Sequence, residues 1–270
     1  MFNHFLITRF NLRKPDWKED KNSQQVLDES WLKNRIHLFK NYCLPSVLGQ
    51  TNKSFRWLIF FEKDSEPEIK FLLEQLDSHS FIEPILVNGY QEFQTGIPQF
   101  ITERLTGNPD WIVTTRLDND DAIHKDFIFQ IQQSLINPVH NTILHFPNGL
   151  FLDLGIQNRL ASYFYPLNQF VSLVEISGKD SFKTIFSREH DKWYGKYIIQ
   201  ALDLKDAWLQ ITHHQNMANS FKGSLVFSIR LINYKIKPVP FKWDYNLVLF
   251  YIKIKQKLKN VHRHLSSSNL

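Results

Sequence analysis

The first apolar run of the chain, Phe5-Leu6-Ile7-Thr8-Arg9-Phe10, gives way to a polar stretch over residues 14–25. This pattern predicts a short strand followed by a loop. Trp31, Leu32, Ile36, Phe39, Tyr42 and Cys43 then recur at helical spacing, with Asp28 or Ser30 as the N-cap and Pro45 as the interruption. Residues 55–61 are almost continuously apolar, as in a strand covered on both faces. Ser65 and Glu68 have capping-box spacing, Pro67 falls in the tolerated first turn, and Ile69, Leu72, Leu73 and Leu76 supply the stripe of a helix. A strand over 81–87, a helix over 96–105 opened near Thr95, and a strand over 111–117 follow. The alternation predicts an α/β fold with a mainly parallel central sheet flanked by helices. With no internal repeat, the simplest division is one domain over 1–234 and a C-terminal segment over 235–270.

Composition narrows the class. The 270 residues are 43% hydrophobic with 23 Phe, enough for a large core without staples, and Cys43 stands alone, so no internal disulfide forms. A reducing, cytoplasmic setting is expected. No apolar stretch reaches the roughly 20 residues of a spanning helix, since the run 247–252 ends at Lys253. Residues 1–7 lack a basic leader and cleavage site, so no export signal is expected. The net charge of +5 is uneven: residues 235–270 hold eight Lys/Arg and one acid, Asp244, whereas residues 1–234 hold 24 basic and 26 acidic residues. Basicity confined to a tail implies no basic groove across the body, which argues against a nucleic-acid partner.

The chemistry concentrates where the strand Trp111-Ile112-Val113-Thr114-Thr115-Arg116-Leu117 runs into Asp118-Asn119-Asp120-Asp121. Ligands of open α/β sheets bind at this carboxyl edge, and three crowded carboxylates need a cation or donors to offset their repulsion. A hard divalent ion, Mg²⁺ or Mn²⁺, answers that need and suits a diphosphate-bearing substrate. The alternative is an acidic loop capping the next helix through Asp121 or Asp126.

The order of several motifs carries a resemblance. Ser46-Val47-Leu48-Gly49-Gln50-Thr51, then Phe55, Trp57-Leu58-Ile59-Phe60 and Asp64-Ser65, resembles the opening of nucleotide-sugar glycosyltransferases of the GT-A fold, and Leu117-Asp118-Asn119-Asp120-Asp121 resembles their metal motif. Within that group the chain looks most like a rhamnosyltransferase family, through His4-Phe5-Leu6-Ile7-Thr8-Arg9-Phe10, Tyr42-Cys43-Leu44-Pro45-Ser46, Thr115-Arg116-Leu117-Asp118-Asn119-Asp120-Asp121, and Trp208-Leu209-Gln210 before a His-x-x-Asn. The match spans roughly residues 1–220. The resemblance implies a GT-A-like fold and transfer of a sugar from a nucleotide-diphosphate donor to a hydroxyl of a surface glycan or lipid-linked glycan. It implies that Asp118 contacts the donor ribose or the metal, that Asp120 ligates the metal, and that Asp121 is the second-choice ligand. Glu62 falls at the base- or ribose-binding position, with Lys63 where the family has a second aspartate. The His-x-x-Asn spacing selects His213 over His214 as a late metal ligand; the alternative is an exposed turn.

Arg9 and Arg116, at strand ends facing the same edge, are candidates for donor phosphate contacts. Arg116 could instead pair with its carboxylate neighbours. Inverting transfer needs a base opposite the leaving diphosphate, and among Glu175, Glu189, His190 and Asp191 the choice falls on Asp191 and Glu175. Residues 187–191 also read as a helix start with favourably placed acids. The tail alternates apolar and basic residues after the aromatics Phe241, Trp243, Tyr245, Phe250 and Tyr251. It suits peripheral contact with an anionic membrane at its inner face, or a solvated helix. Two further readings compete. A nucleotidyltransferase would attack phosphorus with similar carboxylates, but residues 4–14 lack the glycine-rich loop it needs. A nucleic-acid-binding module would work through the basic tail alone.

Overall fold

The computed structural model describes residues 1–13, 29–155, 157–178, 182–190, 192–213 and 221–267, with the side chains of residues 66 and 257–267 outside the description. The expected loop at 14–25, the cap Asp28, the base Asp191, and His214 and Asn216 lie outside the described residues.

Strand β1 (Phe2–Arg9) leads to helix α1 (Glu29–Leu38), a π-helical turn (Phe39–Cys43) and α2 (Leu44–Leu48). Pro45 therefore does not end the helical run. The wide turn closes at Cys43, and Pro45 falls in the first turn of α2, where its missing N–H costs no intrahelical bond. β2 (Arg56–Glu62), α3 (Glu66–Asp77), β3 (Ile82–Val87), α4 (Gly89–Thr102) and β4 (Trp111–Arg116) follow. The capping box does not form: Ser65 Oγ donates to the Glu62 carbonyl at 2.8 Å and accepts from Asn11 Nδ2 at 2.5 Å, tying the ends of β1 and β2 together. Helix α4 starts at Gly89 instead of Gly96, because Glu92 reaches back to accept from Asn88 N and Nδ2 at 2.7 and 2.8 Å. The second half holds β5 (Ala122–Ile123), α5 (Phe127–Gln133), β6 (Thr142–His145), β7 (Asn148–Asp153), β8 (Arg159–Phe164), β9 (Ser172–Ile176), β10 (Ile198–Ala201), β11 (Trp208–Thr212), β12 (Ser224–Leu225) and α6 (Tyr245–Ser267).

Seven strands form the main sheet in the order β10-β6-β9-β4-β1-β2-β3, parallel at every pairing except the two that β9 makes. The mainly parallel α/β expectation holds. A second, five-stranded sheet, β12-β8-β7-β11-β5, lies outside that expectation. Alternate residues of β1 and β2 feed two cores: Leu6, Trp57, Ile59 and Phe61 pack in the cluster that includes Leu32, Phe39 and Leu72, while Phe5, Ile7, Leu58 and Phe60 pack with Phe93, Ile97 and Ile101 of α4. Burial of each large side chain stabilises by roughly 1.5–3 kcal/mol, so β2, buried on both faces, anchors the sheet.

The chain passes from β1 outward to β2 and β3, then returns to place β4 on the other side of β1. The carboxyl ends of β1 and β4 therefore open a crevice at a topological switch point. The second sheet reaches the same place. β11 runs parallel to β7 and pairs antiparallel with β5, just beyond the acidic turn. A Cβ at Gly149 of β7 would collide with the Trp208 ring of β11, so only glycine allows this approach. Trp208 stacks on Phe170 at 5.3 Å and donates Nε1–H to the Phe146 carbonyl at 2.9 Å, which locks β11. Among the described residues, no helix is long and apolar enough to cross a membrane.

Candidate active site

Three arginines and three aspartates meet at the crevice. At the end of β4, Arg116 turns back on Asp118: Nε donates at 3.3 Å and Nη2 at 3.1 and 3.2 Å. Arg9, at the end of β1, stands 3.9 Å from the same carboxylate. Both guanidinium groups lie over the Phe186 ring, at 5.4 and 5.7 Å, and Arg9 also lies over Tyr90 at 5.5 Å. Burial pushes the Asp118 carboxyl up, but Arg116 and Arg9 together hold it below the usual range. Burial and the neighbouring Arg116 lower the Arg9 value. Arg116 does pair with its own carboxylate neighbour. Two cations share that one carboxylate, and Glu189 is the second acid close enough to act on both guanidinium groups.

Asp120 has its own partners. Arg35 of α1 donates Nη1–H to Asp120 Oδ2 at 2.5 Å and to Asn119 Oδ1 at 3.2 Å, and His213 Nε2 lies 3.1 Å from the same Oδ2. Burial opposes ionisation of Asp120, yet Arg35 and His213 hold its carboxyl well below the ordinary value. The β5–β11 pairing explains how His213, far along the chain, arrives beside the turn. Asp121 faces elsewhere: Oδ1 accepts from Ile211 N at 2.9 Å and Oδ2 from Gln169 Nε2 at 3.3 Å. Burial, with Asp120 and Asp118 nearby, raises Asp121 well above an ordinary carboxylate.

Of the four expected ligands, Asp120 and His213 come together, while Asp118 and Asp121 are turned to other partners. Among the described residues no group of three or more His, Cys, Asp or Glu side chains is arranged to hold a metal. The residues that could hold a cation together with a diphosphate are Asp120 through its carboxylate and His213 through its imidazole. Arg35 already donates to the oxygen that such an ion would use.

Glu62, 5% exposed, accepts from Arg13 N at 3.0 Å and lines a small cavity of about 20 Å³ with Asn11, Arg13, Leu32 and Ser65. Glu175 is not brought to this edge. It stands opposite Ile112, three register positions from the Ser172–Thr115 pair, or about 10 Å along the strand. Its Oε1 accepts from Lys183 N at 2.7 Å, and its buried Oε2 has no hydrogen-bond partner among the described residues. Burial raises its carboxyl to about 7.

Arg35 and Asn119 escaped the sequence reading. Asn119 clamps the turn by donating Nδ2–H to the Phe10 carbonyl at 2.5 Å. A signal for Arg35 existed: it follows Trp31 by one helical turn on the apolar face, and a cation there demands a buried anion.

Comparison with known proteins bears on this site. No curated protein matches the chain. Among solved structures, the TarS 1–349 structure from S. aureus is 12% identical with a TM-score of 0.42, covering 77% of this chain and 60% of that one. The 4-diphosphocytidyl-2C-methyl-D-erythritol synthase of Anaerococcus prevotii is 10% identical, with a TM-score of 0.34 and coverage of 93% and 98%. The inositol-1-phosphate CTP transferase of T. maritima is 14% identical, with a TM-score of 0.32 and coverage of 77% and 88%. The chain spans 60% of the TarS structure's length. The family model described as "Putative rhamnosyl transferase" matches residues 2–224, taking in β1, the acidic turn and His213 together, and the chain belongs to that glycosyltransferase family.

Proposed function

We propose that the protein transfers a sugar, rhamnose by its family's description, from a nucleotide-diphosphate donor to a hydroxyl of a surface glycan or lipid-linked glycan at the inner face of a membrane. The observation that carries this reading is the pair Arg9 and Arg116 sharing one carboxylate at the β1–β4 crevice. Planar guanidinium forks match phosphate oxygens in geometry, and two of them side by side at one strand edge can span a diphosphate. Arg9 and Arg116 hold the donor phosphates, and Asp118 keeps the two forks oriented. Glu62, at the end of β2, is assigned to the nucleoside side of the donor.

Asp120 and His213 would hold Mn²⁺ or Mg²⁺ on the donor side, and the ion would neutralise charge on the departing diphosphate. Arg35 keeps Asp120 ionised for that role. Asp121, which burial favours in its neutral form, acts structurally by tying the turn to β11. We assign the acceptor base to Asp191. The segment before it borders the site, since Phe186 underlies both arginines and Glu189 is near enough to raise their charge affinity.

A thermal-shift screen of nucleotide sugars, with and without Mn²⁺, tests the reading, because a ligand at a hundred times its Kd stabilises by about 2.7 kcal/mol. Selective stabilisation by one donor is expected, and Asp120→Asn is expected to lose its Mn²⁺-dependent part and about 10²–10³ in transfer rate. Indifference to every nucleotide sugar would sink the assignment.

A further inference from the structure

The C-terminal helix carries a second surface, opposite the side by which it is attached. Its inner face is anchored: Tyr245 Oη accepts from Leu160 N at 3.2 Å and reaches the Val226 carbonyl at 2.9 Å, Leu249 is buried, and Lys253 lies over Phe227 at 5.6 Å. Positions one and two residues on from these lie about 100° to 200° around the helix and face solvent. Leu247, Phe250 and Tyr251 are 66%, 57% and 65% exposed, Ile254 is exposed, and Trp243 just before the helix is 90% exposed. The sequence continues the same spacing at Leu258, Val261 and Leu265. Val248 and Ile252, 47% and 38% exposed, widen this stripe, and an apolar surface of that extent exceeds the ordinary scatter of surface apolar residues.

Charge identifies the occupant. After Asp244 the sequence of the helix contains no acid, while it carries Lys253, Lys255, Lys257, Lys259 and Arg263. A second copy would bring one lysine-rich helix against another with no acid after Asp244 to offset it, which disfavours a paired coil. An anionic surface faces no such repulsion. Exposed Trp and Tyr at the start of a basic amphipathic helix belong at a lipid–water interface. We infer that α6 lies in the headgroup region of an anionic bilayer, with Trp243, Leu247, Phe250, Tyr251 and Ile254 inserted and the transferase body held on the opposite side of the helix.

The inference specifies the surface behind the membrane contact named above, and it is tested without donor or transfer. Full-length protein is sedimented with vesicles of phosphatidylcholine alone and of phosphatidylcholine with phosphatidylglycerol. Partition onto the anionic vesicles only, weakened by salt, is expected. Lys255→Gln should weaken it about fivefold, and Leu247→Ser with Tyr251→Ser should abolish it while the thermal midpoint stays unchanged, as both side chains are exposed. Absence of partition, or equal partition of wild type and Lys255→Gln, would overturn the inference. So would a dimer in sedimentation analysis that Leu247→Ser dissolves, because a second copy would then cover the stripe. A failed donor screen with intact vesicle binding would leave this inference standing, and the converse would leave the transferase reading standing.

Discussion

The two ends of β4 both carry buried carboxylates, and they treat them differently. Beyond the carboxyl end, Asp120 is buried between Arg35 and His213, the half-buried Asp118 lies against Arg9 and Arg116, and both are held ionised. Beside the amino end, Glu175 is as deeply buried, with only a backbone N–H on one oxygen, and is raised to about 7. Burial alone would raise all three. What separates them is the supply of guanidinium groups, which is the feature the proposed donor site rests on.

The sharpest way to break the comparison is to remove a cation from the charged end. Arg35→Met strands Asp120 in a buried setting with His213 alone and should destabilise the protein by about 3–5 kcal/mol. Urea unfolding measures this, and combining the change with Asp120→Asn should cost less than the sum of the two. A loss near zero would show that the salt bridge at 2.5 Å does not neutralise the site.

At the other end, the native chain keeps a proton on Glu175 that the unfolded chain releases between its ordinary 4.5 and about 7. Stability therefore falls as pH rises through that window. Glu175→Gln should flatten this dependence and gain up to about 3 kcal/mol above pH 7. Chemical unfolding at several pH values checks it, and a parallel pH dependence in both proteins would show that Glu175 is ionised as freely as an exposed acid. The smallest effect is expected from Arg9→Lys, which keeps the charge but removes the fork. Nucleoside-diphosphate affinity should drop about tenfold by calorimetry, with the fold unchanged.

Much of this was legible beforehand, for identifiable reasons. The strands β1, β2 and β4 announce themselves as apolar runs because they are buried on two faces, and Asp118-Asn119-Asp120-Asp121 stands out because polar residues at the end of such a strand have no packing role. Helix boundaries were harder. Pro45 and Thr95 read as breaks, but a π-helical turn absorbs the first, and Glu92 capping back to Asn88 starts α4 well before the second. In the second sheet β5 and β12 are two residues each, too short to carry a period, while β7, β8 and β11 are of ordinary length but have partners that no local pattern specifies.

The sequence by itself determined the α/β order of elements, the place of the acidic turn and the two strand-end arginines, since local periodicity and residue chemistry suffice for these. Only the tertiary structure decided which charge meets which. Arg35 reaches Asp120 across the helix–sheet interface, His213 arrives through pairing of β11 with β5, and Glu175 points away because β9 runs antiparallel to β4. Those pairings depend on strand direction and long-range packing, which no local pattern in the chain encodes.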